Sequence, residues 1–327
     1  MDKDNHARIV ILGAAGFIGY HLAKYFLLNT NYKLFLIDNF VNGKFDNDFQ
    51  ELILNSRVDF VDLDLSNQAS YIDIFTCHDI VFNCSALNGT QNFYSKPVKV
   101  IRNSALTAIL AAEYSALAGV LKYVYFGSSE SYAGGLDLNL IEIPTKENVP
   151  LVVSDVNNSR WSYAASKSVG EIATIANYQQ FELNYLILRL HNIYGPRMGT
   201  KHVIPDLIYR FSSMDGGVYG LDETRAFMYV NDFVEIVYKL IFTKSAKHNC
   251  IYNVGSMNEI SIRDLALVIK AQMNSHVSIY SMGNFNGSVK RRCPDTSKLR
   301  SQIDFQETSI SEGISKTVNW YLENKVN

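Results

Sequence analysis

The chain has 327 residues, of which 47% are hydrophobic and 19% are charged, a composition that excludes a disordered protein and suffices for one large or two ordinary domains. Its net charge of −2 excludes a generally basic surface for nucleic acid or anionic membrane, and no apolar run approaches the length of a membrane span. The polar segment Met1–Arg8 does not resemble a signal peptide and the four cysteines form no C-x-x-C pair, so we expect reduced thiols in a cytoplasmic protein.

Short apolar runs alternate with helical stretches through the first two thirds of the chain. The runs that indicate buried strands are Ile9–Leu12, Leu34–Ile37, Val58–Val61, Ile80–Phe82, Tyr123–Phe126 and Tyr185–Leu190. We expect helices near residues 17–29, 98–118 and 162–182. Apolar strands separated by helices are typical of a parallel sheet covered on both faces. The predicted fold class is therefore α/β, with a Rossmann-like doubly wound parallel sheet.

The last third of the chain is less regular. Ser309 and Glu312 form a capping box that predicts a final helix, Ser261 is expected to cap another helix, and Met214–Glu223 is expected to be a loop. These features predict a smaller C-terminal α/β lobe. We place the Rossmann domain at residues 1–190 and the lobe at 191–327, interleaved with the core; the motifs described below assign NAD to the first of these and mainly the substrate to the second.

A glycine triplet marks the junction between the first strand and the first helix. Gly13, Gly16 and Gly19 have the spacing G-x-x-G-x-x-G, which lets the backbone approach a pyrophosphate at the helix N-terminus. Phe17 and Ile18, between the last two glycines, belong to the same predicted site. A glycine triplet alone is weak evidence, because glycine also makes turns and ends helices.

Acidic residues near two later strand ends strengthen the prediction of a dinucleotide site. Asp38 closes the second strand, where a carboxylate accepts hydrogen bonds from an adenosine ribose and repels a 2′-phosphate, so NAD is expected rather than NADP. Asp64 follows the third strand and is expected either to bind the adenine amino group or to cap a loop. Their neighbours Asn39 and Leu65 are included in the predicted cofactor site.

The pattern Tyr-x-x-x-Lys occurs three times, at Tyr20, Tyr163 and Tyr321, so its position must decide which copy is functional. Tyr163 and Lys167 begin a long helix after the fifth strand, where a phenol and an ammonium share one face. A nearby cation makes a phenol easier to ionise, which suits proton exchange with an alcohol. Ser128 and Ser129, at the end of that strand, are candidates to bind a substrate oxygen; alternatively they bind only backbone. The seven histidines show no H-E-x-x-H motif, and we expect no metal.

Taken together, these residues resemble the extended short-chain dehydrogenase/reductases, in particular the NAD-dependent nucleotide-sugar epimerases and dehydratases. The resemblance covers nearly the whole chain. It is carried by Gly13–Gly19, Asp38–Asn39, Val81–Ala86, Ser128–Tyr132, Tyr163–Lys167, Leu188–Arg197, Thr224–Asp232 and Arg292–Lys298.

The resemblance implies a role for each matched residue. Tyr163 would be the acid/base, Lys167 would lower its pKa and bind the nicotinamide ribose, and Ser128 would bind the reacting hydroxyl. Asn192, Arg225 and Arg292 would bind the diphosphate of a nucleotide-sugar substrate, which suits the bidentate geometry of guanidinium groups; singly, such arginines are more often surface ion-pair residues. The family also implies a homodimer in which the helices near 98–118 and 162–182 form a four-helix bundle.

The expected reaction is hydride transfer from the sugar C4 to NAD, which gives a 4-keto sugar. A 4-epimerase is favoured, because a single Tyr/Ser/Lys set suffices for it. A 4-dehydrogenase or reductase that releases the keto product is an alternative. A 4,6-dehydratase or a decarboxylase that uses Glu130 is another, although Ser129 stands where the dehydratases often carry an Asp. A carboxylate that only caps backbone is the competing interpretation of Glu130.

Overall fold

A computed structural model describes residues 7–284 and 289–324 of the chain. The strands are β1 (Arg8–Leu12), β2 (Lys33–Asp38), β3 (Val58–Asp62), β4 (Asp79–Asn83), β5 (Lys122–Ser128), β6 (Tyr185–Leu190), β7 (Ile193–Tyr194), β8 (Gly217–Val218), β9 (Thr224–Ala226), β10 (Met228–Tyr229), β11 (Cys250–Val254), β12 (Glu259–Ser261), β13 (Tyr280–Ser281) and β14 (Arg291–Arg292). The α-helices are α1 (Phe17–Asn29), α2 (Asn47–Ile53), α3 (Thr90–Ser95), α4 (Pro97–Leu117), α5 (Ala133–Asp137), α6 (Trp161–Phe181), α7 (Val203–Ser212), α8 (Val230–Phe242), α9 (Ile262–Gln272), α10 (Ser297–Arg300) and α11 (Ile310–Glu323).

The main sheet has seven strands in the order β11-β6-β5-β4-β1-β2-β3. Strand β1 pairs in parallel with both β2 and β4, and the pairs β2–β3 and β4–β5 are also parallel. The chain thus moves outward from β1 in one direction and then crosses over to β4, which is the doubly wound arrangement. The predicted Rossmann-like fold is confirmed, and each of the six predicted strands is present.

The helices that cover this sheet begin and end where the local sequence favours it. Pro97 occupies the first turn of α4, where its missing N–H costs nothing. Helix α6 ends at Glu182, which has a left-handed φ of 59° and donates its N–H back to the last turn. Small residues of α4 such as Ala108 and Ala111 pack in one core with β1 and β5. The predicted helices near 17–29, 98–118 and 162–182 are confirmed.

The carboxyl ends of the central strands bring the predicted motifs to one edge of the sheet. Strand β1 leads into Gly13, β2 ends at Asp38, and β5 ends at Ser128. Because the strands β1 to β5 run parallel, these three ends lie on the same side. This edge is where open α/β sheets bind their ligands.

The chain divides into two compact units that alternate along the sequence. The first unit contains the residues through Gly134 together with Leu151–Arg189 and Leu240–Tyr252. The second contains Gly135–Pro150, Leu190–Lys239 and the residues from Asn253 onward. The assignment of the cofactor to residues 1–190 and of the substrate to 191–327 stays a prediction.

The second unit has small sheets and short helices. Its strands form a three-stranded sheet, β12-β9-β14, and the pairs β10–β7 and β13–β8, the latter including part of the predicted 214–223 loop. Ser261 caps α9 by accepting the Asp264 N–H at 3.0 Å, and Ser309 caps α11 by accepting the Glu312 N–H at 3.3 Å. Both predicted caps are confirmed. Across the part of the chain that the structure describes, no helix combines the length and apolar character needed to span a bilayer.

Candidate active site

The glycine loop has the conformation that close approach by a pyrophosphate requires. Gly13 has a φ of +77°, and a side chain on Gly19 would begin 2.3 Å from the Gly13 carbonyl oxygen. Neither position therefore tolerates a larger residue without movement of the backbone. Gly16 precedes α1 without a side-chain cap, and Phe17 and Ile18 form the first helical turn. The N–H groups of that turn and the helix dipole suit an anion, so the loop fits the pyrophosphate of a dinucleotide.

Asp38 braces this loop from the end of β2. Its carboxylate accepts the Ala15 N–H at 2.9 Å and the Phe40 N–H at 2.8 Å, and the residue is 6% exposed. The side chain therefore joins the end of β2 to the glycine loop. Its predicted contact with a ribose remains a prediction.

A cavity of about 640 Å³ lies beside the end of β2. Asn39 and Asp64 line it. The Asp64 carboxylate also accepts bonds from the N–H and hydroxyl of Ser66, at 2.9 and 2.8 Å, and so supports the local turn as well. Asp64 and Leu65 were both predicted to belong to the cofactor site. Asp64 lines the cavity, whereas the Leu65 side chain is buried in the core. The size and polarity of the cavity suit the adenosine end of NAD.

The sequence did not point to the other wall of this cavity, which comes from the start of α4 and includes Lys96, Lys99 and Arg102. Their place in the chain could have predicted this contact, because they follow β4, whose carboxyl end lies at the same edge of the sheet as the ends of β1 and β2.

Tyr163, Lys167 and Ser128 lie together in the first unit. Tyr163, in the first turn of α6, is 6% exposed, and its ring stacks on Phe93 with centroids 4.8 Å apart. Lys167 is 4% exposed; its Nζ lies 5.8 Å from the centre of the Tyr163 ring and donates to the Phe126 carbonyl at 2.7 Å. The Ser128 side chain lies close enough to Tyr163 to lower the pKa of the phenol. The arrangement holds a phenol, an ammonium and a hydroxyl in one buried site.

Burial and neighbouring charges decide the protonation of this group. Burial raises the pKa of Tyr163, the charge of Glu130 raises it further, and the hydrogen bond from Ser128 lowers it. Burial lowers the pKa of Lys167 to about 8, while Cys84 and Glu171 raise it. The predicted effect of Lys167 on the pKa of Tyr163 remains a prediction.

The turn after β5 carries a charged pair that the sequence only half revealed. The Ser128 hydroxyl accepts the Glu130 N–H at 3.2 Å and starts a 3₁₀ helix, Ser129–Tyr132, in which Ser129 is buried. The Glu130 carboxylate is bound by Nε and Nη2 of Arg160, at 3.0 and 2.9 Å. Arg160 precedes Tyr163 by three residues, a spacing that places it near the phenol but does not identify Glu130 as its partner.

The other two Tyr-x-x-x-Lys copies lie elsewhere. In the copy on α1, the helix that follows the glycine loop, the Lys24 Nζ lies 3.5 Å from the Tyr20 hydroxyl. The Tyr321 hydroxyl donates to the Met198 carbonyl, and Lys325 lies outside the described residues. That Tyr163 is the functional copy stays a prediction.

The three residues predicted to bind a diphosphate come together in the second unit. Arg225 of β9 and Arg292 of β14 are direct partners in parallel strands, and Asn192 donates to the carbonyl of the neighbouring Ala226 at 3.1 Å. Arg225 also forms an ion pair with Glu223 at 2.7 Å. An incoming phosphate would have to compete with that carboxylate. The phosphate contacts themselves remain predictions.

A glycine loop and a buried Tyr/Lys/Ser set at the same edge of a doubly wound sheet define a dinucleotide-dependent oxidoreductase site. Residues 9–255 match the NAD dependent epimerase/dehydratase family, and the chain belongs to that family. It is therefore an enzyme whose cofactor is NAD, as the resemblance in the sequence implied.

Individual relatives within this family differ in their reactions. The chain is 30% identical to the UDP-N-acetyl-alpha-D-glucosaminuronate decarboxylase of Bacillus cytotoxicus, over 97% of this chain and 98% of that protein. It is 28% identical to a putative UDP-glucose 4-epimerase of Methanocaldococcus jannaschii, over 97% and 99% of the two chains. Its fold is similar to that of the UDP-glucose 4-epimerase of Thermotoga maritima, with a TM-score of 0.85, 23% identity and coverage of 97% and 99%.

Proposed function

We propose that this enzyme oxidises C4 of the sugar in a nucleotide-diphosphate sugar and forms a 4-keto sugar. The observation that carries the proposal is the buried Tyr163, close to Ser128 at the end of β5 and followed one helical turn later by Lys167, whose Nζ lies 5.8 Å from the centre of the Tyr163 ring. Tyr163 takes the proton of the C4 hydroxyl, and Ser128 orients that hydroxyl. Bound NAD supplies the hydride acceptor, and Gly13–Gly19 and Asp38 are the residues that would hold it.

A nucleotide diphosphate is supported as the substrate handle by the second unit. Arg225 and Arg292 are register partners in neighbouring parallel strands, guanidinium groups suit bidentate binding of phosphate oxygens, and Asn192 donates to the carbonyl of Ala226, the residue after Arg225. The relatives named above act on UDP-sugars, which supports the same class of substrate here.

A 4-epimerase is the reaction we propose first. The 4-keto sugar would turn over in the site and be reduced on its other face, with Tyr163 returning the proton to the C4 oxygen; bound NAD would take up the hydride and supply it again. This cycle needs no acid or base beyond Tyr163, and NADH does not accumulate. A 4-dehydrogenase or reductase would instead release the keto sugar.

A second candidate, oxidative decarboxylation of a nucleotide-linked hexuronate, is favoured by the Glu130–Arg160 pair. Arg160 presents a buried cation three residues before Tyr163, and a substrate carboxylate would exchange with Glu130 for it. A ketone at C4 is β to the C6 carboxylate, so the C5–C6 bond breaks, carbon dioxide leaves, and the electron pair forms an enolate. A proton at C5 then gives the 4-keto pentose, and Glu130 is the candidate to deliver it; the hydride removed from C4 would either return to that ketone or remain on the cofactor as the keto sugar leaves. A 4,6-dehydratase would use Glu130 at the same carbon.

The experiment is a panel of UDP-, dTDP-, GDP- and CDP-linked neutral hexoses and hexuronates, incubated with the enzyme and NAD. Products are separated by mass and by sugar configuration, and NADH is followed by absorbance. An epimer of unchanged mass without NADH supports the first proposal. Loss of carbon dioxide from a hexuronate supports the second, and net NADH with a released 4-keto sugar supports a dehydrogenase. No turnover of any sugar nucleotide would reject the proposed function.

We also propose that the enzyme is a homodimer joined through α4 and α6. Both helices carry large apolar side chains exposed at helical spacing: Val98, Ile101 and Ile109 on α4, and Val169 and Ile172 on α6. A second copy of this face would cover them in a four-helix bundle. Ile172→Glu is expected to convert the dimer to a monomer in analytical ultracentrifugation. Leu28→Glu, which alters an equally exposed residue of α1, is the matched control and should leave the mass unchanged.

A cytoplasmic location is proposed as well. Its support is that Cys77, Cys84, Cys250 and Cys293 are all free thiols, which suits a reducing compartment. Fractionation of the source cells, with the protein detected by antibody, tests this location.

A further inference from the structure

A buried ionic network connects the helix that carries Tyr163 to two strands of the sheet. Glu171 lies one turn after Lys167 on α6, and its carboxylate is bound by Arg189 of β6, through Nε at 2.9 Å and Nη2 at 2.7 Å. The side chains of both residues are only 4% exposed. Arg189 also donates from Nη1 to the Tyr132 hydroxyl at 2.7 Å. Tyr132 ends the turn that begins at Ser128, so the network links β5, β6 and α6.

Stability alone does not account for this network. Replacing a buried ion pair by apolar side chains of similar volume is often neutral or stabilising, because removing two charges from water is costly. The pair therefore invites a functional explanation. Its position, one helical turn from Lys167, suggests what that function is.

Lys167 is a buried cation that needs a nearby negative charge. The groups around it are the Phe126 carbonyl, the Cys84 thiol, the rings of Tyr125 and Tyr163, and Glu171 on its own helix. Burial raises the pKa of Cys84, which therefore remains a neutral thiol near neutral pH. Of these groups, Glu171 carries the negative charge.

The backbone of β5 also makes room for this carboxylate. A side chain on Gly127 would begin 2.8 Å from Oε1 of Glu171. The absence of a side chain there lets the carboxylate lie against the strand. The preceding residue, Phe126, accepts a hydrogen bond from the Lys167 Nζ with its carbonyl oxygen. The Phe126 carbonyl and the Glu171 carboxylate, which lies against Gly127, are thus both at the same end of β5.

We propose that Glu171, fixed by Arg189, is a positioning residue that keeps Lys167 protonated beside Tyr163. Arg189 binds both carboxylate oxygens, which holds Glu171 in place. The proposal rests on the role given to Lys167 in the proposed function. Glu171 itself touches neither substrate nor cofactor in this scheme.

The test compares Glu171→Gln with the double variant Glu171→Gln/Arg189→Met, in the full-length enzyme with NAD bound. The single variant leaves the buried guanidinium of Arg189 without its carboxylate partner. That unpaired charge by itself lowers the stability of the fold and the pKa of Lys167. The double variant removes that cation and keeps the loss of the carboxylate. Titration of the Lys167 amine is followed by NMR of isotope-labelled lysine, assigned with Lys167→Arg, and turnover is measured across the same pH range.

In both variants the titration midpoint of Lys167 is expected to fall by about one pH unit, which should reduce turnover about twofold at pH 7 and about tenfold at pH 9. The descending alkaline limb of the activity profile should move to lower pH by the same amount. A folded double variant in which Lys167 titrates as in the wild type would overturn the proposal, because the effect in the single variant would then come from the stranded Arg189.

Two further variants distinguish this proposal from a general effect of losing a buried ion pair and from a failure of the proposed function. Asp79→Asn breaks the Arg8–Asp79 ion pair, in which Asp79 is fully buried at the opposite edge of the sheet, and should destabilise the protein without moving the Lys167 midpoint. A shift there would show that any lost ion pair has the same effect and would overturn the proposal. Full turnover by Tyr163→Phe would reject the proposed chemistry, while the NMR midpoint of Lys167 would still report on Glu171 independently.

Discussion

The change Glu130→Gln should separate the first chemical step from any later step. Glu130 raises the pKa of Tyr163, so removing its charge should make the phenol easier to ionise. Oxidation of the sugar is therefore expected to continue in this variant. If the enzyme is a 4-epimerase, complete turnover continues as well. If it is a decarboxylase or a dehydratase that uses Glu130, product formation stops after the oxidation.

The size of both effects follows from the geometry of the pair. Arg160 already offsets much of the Glu130 charge at 2.9 Å, so the pKa of Tyr163 should fall by less than about one unit and oxidation should accelerate about two- to threefold. The pair is largely buried, with side-chain exposures of 9% and 18%. Gln keeps one hydrogen-bonding oxygen for Arg160, so we expect a loss of about 1–2 kcal/mol in the free energy of unfolding.

The assay is a single-turnover measurement of NADH absorbance, combined with analysis of the sugar product. Arg160→Met is the matched variant of opposite sign: it leaves Glu130 without that cation, so the pKa of Tyr163 should rise and oxidation should slow. Thermal unfolding of both variants controls for loss of fold.

One result would refute this reasoning. If Glu130→Gln folds normally, binds NAD and yet forms no NADH or product from a sugar that the wild type oxidises, then Glu130 acts in the oxidation itself. The same conclusion follows if both variants change the oxidation rate in the same direction.

The remaining predictions concern the acid/base, its neighbour and the fold. Tyr163→Phe should reduce turnover by about 10²–10⁴-fold with NAD binding unchanged by calorimetry, and undiminished turnover would reject its role as acid/base. Because the pKa of Lys167 is about 8, the ammonium is present below that pH and lost above it, so turnover should decline as the pH rises through about 8. Lys167→Arg, which does not titrate in this range, should remove that decline, and an unchanged profile would assign the decline to another group. Ser309→Ala removes the cap of α11 and should lower the free energy of unfolding by about 1 kcal/mol in urea titrations. Ser311→Ala, which changes a serine of the same helix that is not the cap, is the control and should have a smaller effect.

The motifs that the sequence revealed are those whose parts are close along the chain. The glycine loop spans seven residues and the Tyr163–Lys167 pair spans one helical turn, so spacing alone predicts their geometry. Asp38 could be placed because it ends a strand adjacent to the glycine loop.

The residues that were missed are joined by long-range contacts. Arg160 binds a carboxylate 30 residues earlier, and Phe93 stacks on a ring 70 residues later, at Tyr163. Neither contact leaves a periodic pattern in the sequence, because each depends on where two separate elements end. A parallel sheet predicts which edge such residues share, but not which side chains meet there.

Helix α6 is subject to two independent constraints around its axis. Tyr163, Lys167 and Glu171 follow one another on the buried side, whereas Val169 and Ile172 lie on the exposed side. A deletion of one residue would rotate the following turns by about 100° and misplace both sets at once. The helix therefore leaves no room for insertions or deletions between Tyr163 and Ile172, even though single exposed positions along it can change.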